Sequence, residues 1–76
     1  MYSQPLSYLT RAEKETQTAA ERLTMQIESA LASVAIISND YGDLEARADR
    51  LERAARDLSG ALRELAHERR TKAANP

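Results

Sequence analysis

A chain of 76 residues with three Tyr, no Phe and no Trp has room for one small core, built from Leu, Ile, Val and Ala as in helix-on-helix packing. Two Gly and two Pro are too few turn-formers for a multi-stranded β fold, and the lack of Cys excludes disulfides, thiolate metal sites and a Cys nucleophile. The formal net charge of −1 offers no excess of either sign to recruit DNA or a membrane surface.

In chain order, residues 1–9 form an N-terminal arm without the basic start and apolar run of a signal peptide. Tyr2, Leu6, Tyr8 and Leu9 make it unusually apolar. Either it folds back over the end of a helix bundle, or it crosses to a neighbouring subunit or lines a ligand pocket. The longest uncharged run is about half the ~20 residues of a membrane-spanning helix, so a soluble cytoplasmic protein is expected.

Thr10-Arg11-Ala12-Glu13 fits a capping box, with Arg11 the first helical residue. Glu13 and Glu15 suit the positive end of the helix dipole. The first helix is expected over about 11–38. Its apolar residues Ala20, Leu23, Ile27, Ala30, Val34 and Ile37, continued by Tyr41, keep a 3-4 spacing that draws one seam. Ser29 to Asn39 carries no charge at all, and Met25, Ser29, Ala32 and Ile36 form a second stripe. A helix apolar on nearly every side has to be surrounded. This predicts an oligomer whose interface includes Leu23, Met25, Ile27, Leu31, Val34, Ile36 and Ile37.

Residues 39–43, Asn-Asp-Tyr-Gly-Asp, form the expected turn, with Gly42 closing the first helix and Asp43 capping the next. The second helix is expected over about 44–70. Leu44, Ala48, Leu51, Ala55, Leu58, Leu62 and Leu65 read as heptads with Leu at every d, and with Ala48, Ala55 and Leu62 at a. Ala54, Ala61 and Ala66 widen this flat side. The outer face offers the i,i+4 pairs Asp49–Arg53, Glu52–Arg56 and Arg53–Asp57. Residues 10–72 thus make an all-α, antiparallel helical hairpin, with a short tail over 73–76. A lone hairpin of this size buries each helix on one side only, so assembly into a four-helix bundle or higher oligomer is expected.

Catalytic chemistry has little to stand on. His67 is the only His, the carboxylates are spread along exposed faces, and no Gly-rich phosphate loop is present. No enzyme, metal or cofactor is expected. The notable polar feature is the row Arg56, Gly60, Arg63, His67 and Arg70, one ridge at 4-3-4-3 spacing with Arg53 alongside. A hairpin would bring Arg11 and Lys14 next to it. The ridge is either a solvated face balanced by Glu64 and Glu68, or a site for phosphates or an acidic protein surface. The candidate binding residues are Tyr8, Arg11, Lys14, Arg56, Arg63, His67 and Arg70.

Two short stretches, Tyr8-Leu9-Thr10 with Glu13 and Asp57-Leu58 with Gly60 and Leu62, carry a family resemblance. They resemble phage-encoded sponges that sequester cyclic oligonucleotide signals, short helical hairpins that assemble into higher oligomers. Here Tyr8 directly precedes Leu9, a departure from that family's Tyr spacing. The resemblance implies a non-catalytic homo-oligomer that sequesters an anionic small molecule such as a cyclic oligonucleotide. Two other readings stand beside it: an adaptor or inhibitor that binds a host protein through its apolar faces, and an RNA-binding hairpin dimer, the latter by analogy of fold with a plasmid copy-number regulator.

Overall fold

The computed structural model describes residues 9–35 and 41–74. Two helices account for nearly all of them: α1, Arg11–Ala35, and α2, Tyr41–Ala74. At 1.5 Å per residue they extend roughly 37 and 51 Å. No strand occurs among the described residues.

The start of α1 is the capping box expected from sequence. The Glu13 N–H donates to Thr10 Oγ1 at 3.1 Å, and the Thr10 N–H donates to Glu13 Oε1 at 2.8 Å. Two N–H groups without helical partners are thereby satisfied at once. The start of α2 differs from expectation. Tyr41, Gly42 and Asp43 already lie in its first turn, so the turn does not extend to residue 43 and Tyr41 does not close the seam of α1. Asp43 sits inside the helix, where its carboxylate accepts from Arg47 Nε at 2.9 Å. At its other end α2 runs to Ala74, past the expected stop near residue 70.

The helices pack as an antiparallel hairpin. Cross-contacts join Thr10 to Glu68, Glu13 to Arg69, Thr16 to Ala61 and Ser29 to Arg47, so one partner number falls as the other rises. The contact line on α1 is Ala12, Thr16, Ala19, Leu23, Gln26, Ala30 and Ser33, all buried or half-buried. On α2 it is Arg47, Leu51, Ala54, Leu58, Ala61, Leu65 and Glu68. Leu51, Leu58 and Leu65 face inward as the heptad reading requires. Their companions are not Ala48, Ala55 and Leu62, which are exposed, but the residue before each. On α1, Leu23 and Ala30 keep their expected place, whereas Ile27 and Val34 do not.

Small residues explain this rotation. Ala12, Thr16 and Ala19 on α1 and Ala54 and Ala61 on α2 are small, so the two backbones come close along this line. Thr16 Oγ1 comes within 2.8 Å of its own Ala12 carbonyl and 3.3 Å of the Ala61 carbonyl on α2, which only a close approach allows. Turning Leu62, Ile27 or Val34 inward would force the helices apart. The consequence is a thin interior. Among the described residues only Ala19 and Ala54 are buried, and no large side chain is fully enclosed.

The open end of the hairpin is closed by polar groups. Thr10 Oγ1 donates to Glu68 Oε1 at 2.8 Å, and Arg69 Nη2 donates to Glu13 Oε2 at 3.3 Å. The Thr10 N–H, followed by Arg69, holds the Glu13 carboxyl below its usual range. A carboxyl with a lowered folded pKa stabilises the fold above its unfolded pKa, and that contribution is lost as pH falls through the folded value. Acid should therefore loosen the hairpin below about pH 4.5, the side on which unpaired glutamates protonate. Thermal unfolding followed by circular dichroism from pH 7 down to pH 3 checks this. Glu13→Gln should flatten the acid limb, and an unchanged limb in that variant would refute the assignment to Glu13.

Candidate functional site

The rotated packing gives the hairpin two unlike flanks. Each residue turns a helix by about 100°. Ala48, Ala55 and Leu62 follow the inward positions Arg47, Ala54 and Ala61 by one residue and fall on one flank. Arg53 and Gly60 precede Ala54 and Ala61 and fall on the other. On α1, Ile27, Leu31 and Val34 lie past the contact line on the first side, while Arg22 and Met25 lie on the second. Since the helices are antiparallel, equivalent turns away from the contact line meet on the same flank. Ile27, Leu31 and Val34 therefore share a flank with Leu44, Ala48, Ala55 and Leu62.

That apolar flank is open to solvent. Val34 is 81% exposed, Leu31 65% and Ile27 45%. Leu44 and Leu62 are exposed as well. Of the interface residues expected from sequence, Ile27, Leu31 and Val34 are available here. Leu23 is half-buried within the hairpin itself, and Met25, exposed, lies on the opposite flank. Ile36 and Ile37 lie outside the described residues.

The opposite flank is a charged groove between the helices. Its larger part, of about 940 Å³, is lined by Arg11, Lys14, Arg22 and Arg56 and by Glu15, Asp57, Glu64 and Glu68, with Gly60 and Ala61 along its wall. Four cationic residues meet four carboxylates, and Arg11 is already paired with Glu15 at 3.1 Å. Nearer the turn the groove narrows to a recess of about 270 Å³, lined by Arg22, Met25, Gln26, Arg50, Arg53, Ala54 and Asp57.

The structure thus brings Arg11, Lys14 and Arg56 together and leaves the rest of the expected ridge elsewhere. Arg63, His67 and Arg70 are not among the residues that line the groove. Tyr8 lies outside the described residues. The i,i+4 pairs Asp49–Arg53, Glu52–Arg56 and Arg53–Asp57 do not form, for the ion pairs among the described residues are Arg11–Glu15, Arg47–Asp43 and Arg69–Glu13. Exposed pairs of that kind gain little, so their absence costs the helix only a few tenths of a kcal/mol. What the ridge reading missed is Arg22 and Arg50; it had Arg53 alongside. Arg50 and Arg53 stand one turn apart on α2, a spacing visible in the sequence, but Arg22 joins them only through the packing of α1.

Gly60 stands in the middle of α2. A methyl group there would meet nothing within 4 Å, so no contact within the chain requires glycine. Gly60→Ala is accordingly expected to stabilise the isolated hairpin by about 1 kcal/mol, through helix propensity and a less flexible unfolded chain. Urea unfolding checks this. A loss of stability would show that something outside the chain packs closely against residue 60.

No helix among the described residues is long and apolar enough to cross a membrane, and no cluster of His, Asp and Glu among them could hold a metal ion. Comparison with protein-family models, with curated proteins and with solved structures gives no match.

Proposed function

We propose that this is a non-catalytic binding protein that acts as a homo-oligomer, its apolar flank joining copies into a four-helix bundle or larger and its charged flank taking up an anionic ligand. In this reading it is an inhibitor or sequestering protein of mobile-element (phage) type. It would act in the cytoplasm on a nucleotide signal or a host factor. The observation that carries the reading is the segregation of the flanks, with Ile27, Leu31, Val34, Leu44 and Leu62 exposed on one and nearly every groove-lining charge on the other. A single hairpin leaves Ile27, Leu31, Val34, Leu44 and Leu62 in water. A second copy laid on the same flank supplies the core that one chain lacks.

Sedimentation equilibrium at low micromolar concentration tests the assembly. A particle of two or more chains supports it. A folded monomer would overturn it and favour the adaptor reading, in which the same flank is offered to a host protein. The RNA-binding reading draws less support, since the main groove pairs four cations with four carboxylates and a polyanion demands a basic excess.

A further inference from the structure

The recess nearest the turn differs from the groove that it continues. Three guanidiniums, those of Arg22, Arg50 and Arg53, meet a single carboxylate, Asp57. Among the described residues none of the three forms an ion pair, although Asp57 and Asp49 both stand four residues from Arg53. Two helices therefore bring like charges into one concave space that keeps a cationic excess over its single carboxylate. Guanidiniums present planar forks of N–H donors that match the oxygens of a phosphate, and their mutual repulsion falls when an anion lies between them. Met25 forms an apolar wall of the same recess and is 64% exposed, and the Gln26 carboxamide adds a neutral polar group. Thioethers are polarisable and pack well against planar groups.

We propose that this recess binds a phosphate-bearing small molecule, with Arg22, Arg50 and Arg53 holding the phosphate and Met25 supporting an apolar or planar group attached to it. The site lies on the flank away from Ile27, Leu31 and Val34, so it stays open when the apolar flank is covered by a second copy. It rests on the ligand half of the function proposed above and is independent of self-association.

Isothermal titration of the full chain at low salt tests it, with ADP and inorganic pyrophosphate as probes. ADP should bind saturably and more tightly than pyrophosphate, because only ADP carries a planar group for Met25. The double variant Arg50→Gln/Arg53→Gln should weaken ADP binding by at least about tenfold, as loss of a bidentate charge-assisted contact does. Arg22→Gln, on the other helix, gives the same reading if the double variant misfolds. Arg63→Glu, outside the recess, should leave ADP binding unchanged. Absence of saturable ADP binding would overturn the proposal, as would ADP binding indifferent to the recess variants or equally lost in Arg63→Glu. Tighter binding of a short single-stranded RNA through the same residues would replace the small ligand with a nucleic acid and overturn it too. Sedimentation of the same samples separates the two ideas. A monomer that binds ADP sinks only the assembly, and an oligomer that ignores ADP sinks only this site.

Discussion

Val34→Asp is expected to turn the proposed assembly into single chains. Val34 is the most exposed of the large apolar residues among the described ones, at 81%, and it sits with Ile27 and Leu31 where Ser29 to Val34 carries no charge. In an isolated hairpin an aspartate at this position stays in water and should change stability within about 0.5 kcal/mol. In an interface between copies, the same carboxylate would be buried without a partner, at a cost of several kcal/mol. That is enough to move a low-micromolar association beyond any practical concentration. The measurement is sedimentation velocity beside far-UV circular dichroism. An oligomer unchanged by Val34→Asp and by Leu31→Asp would show that copies meet elsewhere or not at all.

The second large effect concerns the contact line inside the hairpin. Ala54 is buried, whereas Ala55 beside it is exposed. Ala54→Leu should force α1 and α2 apart where Ala54 is enclosed between them and cost about 1–3 kcal/mol, the range for overpacked interiors. For a domain of this size each kcal/mol lowers the thermal midpoint by about 4–8 °C. Ala55→Leu should leave the hairpin's midpoint unchanged or raise it, since it adds an apolar side chain to the open flank. The heptad reading of the sequence gives the opposite order, because it turns Ala55 inward. Thermal unfolding of the two variants side by side decides between the registers. A larger loss in Ala55→Leu would refute the packing described above.

The sequence by itself determined the local features. Thr10 and Glu13 make a capping box through contacts three residues apart, which need no knowledge of the rest of the fold. The two helices and the inward Leu51, Leu58 and Leu65 also follow from periodicity within a single segment, and the antiparallel return follows from the short link between them. The start of α2 was not legible, because Gly42 and Asp43 are as compatible with a first helical turn as with the link before it. The ridge Arg56, Gly60, Arg63, His67 and Arg70 was a correct reading of spacing on one helix. Of that row Arg56 and Gly60 line the groove between the helices, a placement that spacing on one helix does not decide.

Only the tertiary structure decided the rotation of each helix about its axis, and with it everything said of function. A sequence pattern marks all apolar positions alike. The side that packs depends on how closely two backbones come, and that distance is set jointly by Ala12, Thr16 and Ala19 on one helix and Ala54 and Ala61 on the other. One residue's shift, about 100°, moved Ala54 inside and left Ala55 and Leu62 outside. The same turn placed Met25 beside Arg22, Arg50 and Arg53 and away from Ile27, Leu31 and Val34. The two flanks arise from packing between distant segments, which no window along the chain contains.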